Sequence, residues 1–301
     1  MKTTRELAQE MAESLYEVGV EIDSAQVEEI FSEQGAFDLN NSQLMRQLGW
    51  DINTITDEQR DKLLKRGFMD TLAALNEQSF RRDLEQADID AYTAESNITV
   101  EPENASMDAA SAGEVIAQTL RDEEATFYQG YHWNVLLSDK SSYALKFVKY
   151  NTDALKSAHE EVEQYRAIEQ VFEDEFLLKQ FNVKLKNTDR EVVLQEKLDL
   201  EEWRPISVVQ ASQEDVANMV PGLDDAGNRE KFSRFISYFE QLEAESNLVI
   251  DLNGDNVFCR VDESGELEVK ILDYGCFEVG KNTDSIQKSK QLLAELEKQL
   301  G

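Results

Sequence analysis

The 301-residue chain has few cysteines, few basic residues and no long apolar run. Its two cysteines, Cys259 and Cys276, lack the paired spacing of zinc sites, so we interpret both as small buried residues. No run of eighteen apolar residues occurs, and the N-terminus has acids but no hydrophobic block, which predicts neither a membrane span nor a signal peptide. We therefore expect a cytoplasmic protein.

The shortage of basic residues leaves a strongly acidic protein. Lysine and arginine number 30 against 62 aspartates and glutamates, and the formal net charge is −32. Such a surface repels nucleic-acid phosphates and anionic lipids, so we predict no nucleic-acid and no membrane partner. Mimicry of nucleic acid is the alternative explanation, and a solvated acidic surface is the one we favour. The 41% of hydrophobic residues suffices for a core in one large or two ordinary domains.

Residues 1–87 have the period of amphipathic helices. Each of three segments starts with a capping residue and repeats apolar residues at helical spacing: TTRELAQEMAESLYEVG, SAQVEEIFSEQG and TDEQRDKLLKRGFMDTLAALNEQ. We predict a small all-α helical bundle here, which is a candidate for binding a protein partner. Residues 88–113 are rich in alanine, serine, asparagine and acids and contain Pro102, so we predict a linker.

From residue 114 to residue 301, strand and helix patterns are mixed. TFYQGYHWNVLLSD and SSYALKFVKYN predict a hairpin, NTDALKSAHEEVEQYRAIEQVF a helix, and FNVKLKNTDREVVLQEKL two more strands. The helical pattern NREKFSRFISYFEQLEAE precedes the strand-like stretch NLVIDLNGDNVFCRVDESGELEVKILDYG, and DSIQKSKQLLAELEKQL predicts a last helix. The pattern indicates a second domain of the α+β class.

Lys146 lies in a strand whose two faces both have a buried pattern. Ala144 and Val148 share its face, and the opposite face is apolar as well. A lysine buried there needs an anion, whereas an edge strand with a lysine that guards against aggregation is the alternative. Glu161, within the apolar stripe of the following helix, is a candidate partner, and a surface acid in a glutamate-rich helix is the other explanation.

Asp251, Asn256 and Asp273 lie at the ends of strand-like apolar runs, where carboxylates are costly unless they are paired or bound to a cation. DLNGDNVFCRVD has the alternating oxygen ligands of a helical calcium loop, but Asn256 stands where that loop needs glycine, and a strand follows it. We favour a catalytic loop between two strands. One carboxylate would accept a proton from an attacking hydroxyl, while an amide oxygen and a second carboxylate bind Mg²⁺ against nucleotide phosphates.

These motifs, in this order, resemble the protein kinase-like fold over about residues 114–280, especially its reduced bacterial and aminoglycoside-phosphotransferase-like branches. YALK is similar to the family's VAIK, DLNGDN to its catalytic-loop core D-L-x-x-x-N, and DYG to its DFG. The resemblance implies a two-lobed minimal kinase-like domain after the helical bundle.

The resemblance also implies roles for single residues. Lys146 and Glu161 position ATP, and Asp251 is the catalytic base. Asn256 and Asp273 bind Mg²⁺. The remaining implied contacts are a phosphate loop around Gly130 and main-chain groups of Glu196 and Leu198 for the adenine.

Three departures from the family pattern limit what the resemblance implies. The phosphate loop has only Gly130 where the family usually has three glycines. Val249 and Ile250 replace the usual His and Arg before Asp251, and the 26 residues after Gly275 contain no APE-like motif. We expect an ATP- and Mg²⁺-dependent phosphotransferase that acts on a protein or small-molecule hydroxyl. The alternatives are a pseudokinase that recruits a partner and a related enzyme that transfers AMP.

Overall fold

The computed structural model describes residues 2–33, 41–49, 56–86, 98–101, 107–129, 133–148, 163–185, 191–207, 219–252, 256–281, 283–298 and 300. The chain forms two compact units, residues 1–158 with 180–195 and residues 159–179 with 196–301. The predicted mixed α+β class is confirmed. None of the helices in the described ranges has the length and apolar character that a membrane crossing requires.

The described part of the first unit opens with five helices: α1 (Thr4–Tyr16), α2 (Ser24–Ser32), α3 (Asn41–Gln47), α4 (Asp57–Lys65) and α5 (Phe68–Gln86). Thr3, Asp23 and Thr56 cap α1, α2 and α4, each in a reciprocal bond with the residue three positions on. The apolar faces of the helices share one core. Capping and helical period are therefore sufficient to explain this bundle.

Helices α4 and α5 occupy a segment for which the sequence predicts one continuous helix. The break lies at Arg66 and Gly67, and Gly67 adopts a positive φ of 70°. Only glycine takes this conformation readily, so it ends α4 and allows α5 to start in a new direction. The sequence prediction is wrong at this point because the apolar period continues across the glycine.

A six-stranded sheet forms the rest of the first unit. Its strands are β1 (Ile98–Glu101), β2 (Thr126–Gln129), β3 (Trp133–Leu137), β4 (Tyr143–Val148), β5 (Gln180–Leu185) and β6 (Glu191–Glu196), in the order β1-β5-β6-β4-β3-β2. The predicted hairpin is confirmed, because β3 and β4 pair antiparallel with Val135 opposite Lys146. The β2–β3, β5–β6 and β1–β5 pairs are antiparallel as well.

Residues 88–113, the predicted linker, contain one strand and the start of one helix. Strand β1 pairs with β5 along its whole length, and its Ile98 is buried. Helix α6 (Ala109–Leu120) begins there as well, capped by Asp108, and buries Ala112 and Ile116. The described part of this segment is thus packed as strand and helix, because its apolar residues Ile98, Met107 and Ala112 belong to the core of the sheet unit.

Helix α5 packs on the sheet through its C-terminal half. The Phe80 ring lies 5.0 Å from the ring centroids of both Phe127 and Phe147. The neighbouring Arg81 guanidinium donates to the main-chain carbonyl oxygens of Ala125 and Asp122. Phe80 therefore belongs to the same apolar core as the sheet residues, and α5 is shared between the bundle and the sheet.

The second unit contains helix α7, described over 163–171, a 3₁₀ turn (Asp174–Phe176), β7 (Arg204–Pro205), α8 (Ala226–Ser246), β8 (Leu248–Ile250), β9 (Val257–Val261), β10 (Leu267–Ile271), β11 (Cys276–Glu278) and α9 (Thr283–Lys298). Strands β10, β9 and β7 form one small sheet, and β11 pairs with β8. Phenylalanines of α8 and of the 3₁₀ turn, together with Phe172 just after α7, fill the core between these strands.

Two asparagines determine how α8 meets the strands of the second unit. Asn247 ends the helix in the left-handed conformation, with φ of 60°, and the chain turns directly into β8. At the other end, the buried Asn228 side chain donates to the carbonyl oxygens of Gly222 and Gly265 and accepts from the Leu267 amide. These contacts fix the position of β8, and therefore the point at which the loop after β8 begins.

Candidate active site

The structure brings the ends of β9 and β10 together at Asn256 and Asp273. Strand register places Val257 opposite Ile271, so the residues just outside the hairpin, Asn256 and Leu272, also face each other. The Asn256 carbonyl oxygen accepts from the Leu272 amide at 2.7 Å and from the Asp273 amide at 3.3 Å. Asn256 and Asp273 are thus neighbours through the main chain, as the two polar strand ends predict.

Asp251 joins the same network through the second strand pair. Ile250 lies opposite Cys276 in the β8–β11 ladder, and the Asp251 amide donates to the Gly275 carbonyl oxygen at 2.9 Å. The three polar residues predicted to form a site therefore lie on neighbouring segments, because main-chain hydrogen bonds join Asn256 to Asp273 and Asp251 to Gly275. All three side chains are half-buried.

The Asn256 side chain is oriented by a single hydrogen bond. Its amide nitrogen Nδ2 donates to the Asp251 carbonyl oxygen at 2.7 Å. Because a carbonyl oxygen accepts but does not donate, the NH₂ group must face Asp251, and the amide oxygen Oδ1 must point away. No residue in the described ranges bonds to Oδ1, and none pairs with the Asp273 carboxylate.

Asn256 and Asp273 fit a magnesium ion by the chemistry of their oxygens. Mg²⁺ prefers oxygen ligands and usually takes only one or two from protein carboxylates, with substrate phosphates and water completing its shell. Within the described part of the chain, no three histidine, cysteine, aspartate or glutamate residues group as a self-sufficient metal site. The arrangement therefore suits a metal that arrives with phosphates better than a permanently enclosed ion.

Tyr274, next to Asp273, is fully buried and doubly bonded. Its hydroxyl donates to the Leu178 carbonyl oxygen at 2.8 Å and accepts from the Leu178 amide at 3.0 Å. Its ring meets that of Tyr165 on α7 edge to face, with centroids 4.6 Å apart. Burial raises the pKa of Tyr274 well above its ordinary value, so the hydroxyl keeps its proton for donation.

The side chain of Gln164 holds Cys276, the residue that directly follows the DYG motif. Its side-chain oxygen accepts from the Cys276 amide at 3.1 Å, and its nitrogen donates to the Cys276 carbonyl oxygen at 3.4 Å. One amide side chain of α7 thus bonds to the main chain of β11 in the manner of a neighbouring strand. Helix α7 therefore contacts the chain after Asp273 at two residues, Tyr274 and Cys276.

The residue after Asp251 is held by the C-terminal helix α9. The amide of Leu252 donates to the Ser289 hydroxyl oxygen at 3.2 Å, and both residues are buried. Ser289 therefore fixes the main chain next to Asp251. Ser289 belongs to the 26 residues after Gly275, a segment in which the sequence shows no family motif.

Lys146 belongs to the first unit and is buried, with 9% of its surface exposed. Its ammonium nitrogen lies 5.7 Å from the centroid of the Trp133 ring, within the range of a cation–π contact. Among the described residues, no carboxylate lies within ion-pair distance of Lys146. Its predicted partner Glu161 and the phosphate-loop Gly130 both lie outside the described residues.

The two residues predicted to bind the adenine, Glu196 and Leu198, differ in their main-chain hydrogen bonds. The Glu196 amide donates to the Lys179 carbonyl oxygen at 2.9 Å, and the Glu196 carboxylate accepts from the Lys179 amide at 3.1 Å. The Glu196 amide is therefore occupied, and the predicted main-chain role of Glu196 in binding the adenine rests on its carbonyl oxygen. Leu198 differs, because no described residue bonds to its main-chain N–H or carbonyl oxygen.

The two cysteines differ in their surroundings, although the sequence predicts that both are buried. Cys259 is buried in β9, and burial raises the pKa of its thiol to about 12. Cys276 is half-exposed, because it lies at the start of the short strand β11. The prediction is correct for Cys259 and wrong for Cys276.

Sequence reasoning missed Trp133, Gln164 and Ser289 at the candidate site. Trp133 had a weak signal, since it opens the strand that pairs with the Lys146 strand. Gln164 and Ser289 are polar residues in polar helical segments and give no such signal. Comparison of the chain with protein-family models gives no match, and neither does comparison with curated proteins.

Proposed function

We propose that the protein is an ATP- and Mg²⁺-dependent phosphotransferase of the kinase-like type, acting on a hydroxyl of a protein or small molecule. The observation that supports this most is the network of Asp251, Asn256 and Asp273. It contains a carboxylate, an amide oxygen and a second carboxylate on one set of hydrogen-bonded loops. Phosphoryl transfer needs groups of these kinds, and they act mainly by positioning and by charge.

Lys146 supports the same proposal from the first unit. In protein kinases the phosphate-holding lysine lies on the third strand of the sheet, and Lys146 lies on β4, the third strand of the consecutive antiparallel run β2, β3 and β4. A buried ammonium without a described carboxylate partner needs an anion to offset its desolvation. We assign that role to the phosphates of the nucleotide.

In this proposal Asp251 orients the acceptor hydroxyl and accepts its proton, and the phosphoryl group passes from ATP to the hydroxyl oxygen as ADP leaves. Asn256 and Asp273 hold Mg²⁺, which when bound neutralises charge on the nucleotide phosphates. Ser289 keeps the main chain beside Asp251 in place. Leu198 offers a main-chain donor and acceptor for the adenine.

The test uses Asp251→Asn, which keeps the side-chain shape and removes the charge. Wild type is incubated with ATP, Mg²⁺ and a cell lysate, and mass spectrometry scores added phosphate on the protein itself and on lysate components. We expect the variant to bind Mg·ATP nearly as wild type does and to lose about 10²- to 10⁴-fold in transfer rate. Asp284→Asn, the same change at an exposed residue of α9, is the matched control and should transfer normally.

The same measurement separates the alternatives. Added AMP in place of phosphate would assign an AMP transferase. ATP binding without any transfer by wild type would favour a pseudokinase. Transfer at an unchanged rate by Asp251→Asn would contradict the role of this loop.

A further inference from the structure

We propose that Tyr274 and Gln164 are positioning residues that hold the Asp273 carboxylate ready for Mg²⁺ by fixing the main chain that follows it. This inference rests on the proposed function, because it assigns Asp273 to Mg²⁺. It adds two residues that do not touch the metal themselves. Both lie in the second unit, together with Asp273, Asn256 and Asp251.

The Tyr274 hydroxyl fixes the main chain on one side of Asp273. It makes both a donor and an acceptor bond to Leu178, a buried residue just after the 3₁₀ turn. A phenylalanine, as in the DFG motif, would keep the ring contact with Tyr165 but could make neither bond. The hydroxyl therefore gives this loop two attachments that ring packing alone does not provide.

Gln164 fixes the main chain on the same side of Asp273, two residues beyond Tyr274. Its amide group bonds to both the N–H and the C=O of Cys276, three residues after Asp273. Gln164 and Tyr165 are adjacent on α7, so one turn of helix contacts both the main chain of Cys276 and the ring of Tyr274. The chain that follows Asp273 is therefore attached at two residues, through Leu178 and through Gln164.

Attachment at these two residues matters because the Asp273 carboxylate has no described partner of its own. A metal ligand without a side-chain bond is oriented by its main chain alone, and loss of such supporting contacts typically weakens metal binding by about 10- to 100-fold. The Asn256 oxygen is oriented separately, through Asp251. Loosening the Leu178 and Gln164 contacts would thus displace one of the two proposed ligands and leave the other in place.

The experiment measures Mn²⁺ binding, as a probe for Mg²⁺, in the presence of a non-hydrolysable ATP analogue. Free Mn²⁺ is followed by electron paramagnetic resonance for wild type, Tyr274→Phe and Gln164→Leu. Tyr238→Phe is the matched control, since it removes a hydroxyl that donates to Glu173 in the same unit, away from the Asp273 loop. Hydrogen exchange of the peptide over 272–278, measured without ligand, reports the loop independently of any binding.

We expect both variants to bind Mn²⁺ about 10- to 100-fold more weakly than wild type, with faster exchange over 272–278 and an unchanged affinity for the analogue without metal. Gln164→Glu keeps an oxygen that can accept from the Cys276 amide and should show an intermediate loss. Tyr238→Phe should match wild type in all three measurements. Gln164→Leu changes only a half-buried side chain, so it tests the inference even if Tyr274→Phe fails to fold.

Two results would overturn the inference, and they differ in what else they affect. Unchanged Mn²⁺ affinity in Gln164→Leu, with wild type binding normally, would refute the positioning role and leave the proposed function standing. Absence of Mn²⁺ and analogue binding in wild type would refute the proposed function and the inference together.

Discussion

The side-chain amide of Asn256 donates a hydrogen bond to the main-chain carbonyl oxygen of Asp251, across 2.7 Å. The two residues are five apart in the chain, and this bond closes the loop between β8 and β9. It gives Asn256 two tasks, because the NH₂ group shapes the loop while Oδ1 remains directed away from it. The two tasks can be separated by substitution.

Asn256→Asp keeps an oxygen for a metal but loses the donor. At pH 7 the new carboxylate would face the Asp251 carbonyl oxygen, so we expect the free energy of unfolding to fall by about 1 to 3 kcal/mol. Protonation would restore a donor, and the difference from wild type should therefore shrink as the pH falls below the raised pKa of the new carboxyl. Urea unfolding at pH 7 and pH 4 measures this, and an equal difference at both values would contradict the assigned bond.

Lys146→Met should abolish the rise in melting temperature that Mg·ATP gives wild type, because the variant has no charge for the phosphates. The unliganded variant should be as stable as wild type or more stable, since methionine avoids the desolvation of a buried ammonium. Differential scanning fluorimetry measures both effects. Lys140→Met is the control, and it should destabilise the protein because it removes a partner of the buried Asp122 carboxylate. A strongly destabilised Lys146→Met would mean that the ammonium already has an anionic partner.

Leu198→Pro removes one main-chain N–H that no described residue uses. If this group bonds the adenine, affinity for Mg·ATP should fall about tenfold, the equivalent of one hydrogen bond of about 1.4 kcal/mol. Leu198→Ala keeps the N–H and should bind nearly as wild type does. Isothermal titration calorimetry compares the two variants, and equal affinities would place the adenine elsewhere.

The Asp122 carboxylate predicts a pH dependence in the first unit. Hydrogen bonds from Lys140 first and Ser138 second lower the pKa of Asp122 from 3.8 to about 2. A lowered folded-state pKa stabilises the protein above pH 4, and that contribution is lost as the pH falls through about 2. Wild type should therefore lose more stability than Asp122→Asn between pH 4 and pH 2, as urea unfolding midpoints would show. A constant difference across this interval would contradict the assignment.

The sequence predicts that Asp251, Asn256 and Asp273 lie close together because the evidence for this is local. Each lies next to an apolar run, and a strand end is a place where chain direction and register bring polar groups together. The caps of α1 and α4 are predicted for a similar reason, since a cap and its partner are three residues apart, whereas α2 is capped by Asp23 and not by the predicted Ser24. Local period and local chemistry suffice in these cases.

The sequence fails where the partner is distant. Gln164 and Cys276 are 112 residues apart, and Ser289 and Leu252 are 37 apart. A helical period shows which side of a helix is buried but not which main-chain group a polar residue on its border will meet. The bond that occupies the Glu196 amide is not predictable for the same reason, because it depends on Lys179, which lies before β5.

The contact of Phe80 with Phe127 and Phe147 makes the N-terminal helices part of the sheet's folding unit. A chain shortened to residues 114–301 would leave Phe127 and Phe147 facing water where Phe80 now covers them. It would also lack strand β1 and expose the edge of β5 to pairing with other chains. Aggregation is the expected fate of such a fragment, so recombinant work on the catalytic hypothesis needs the helices as well as the sheet.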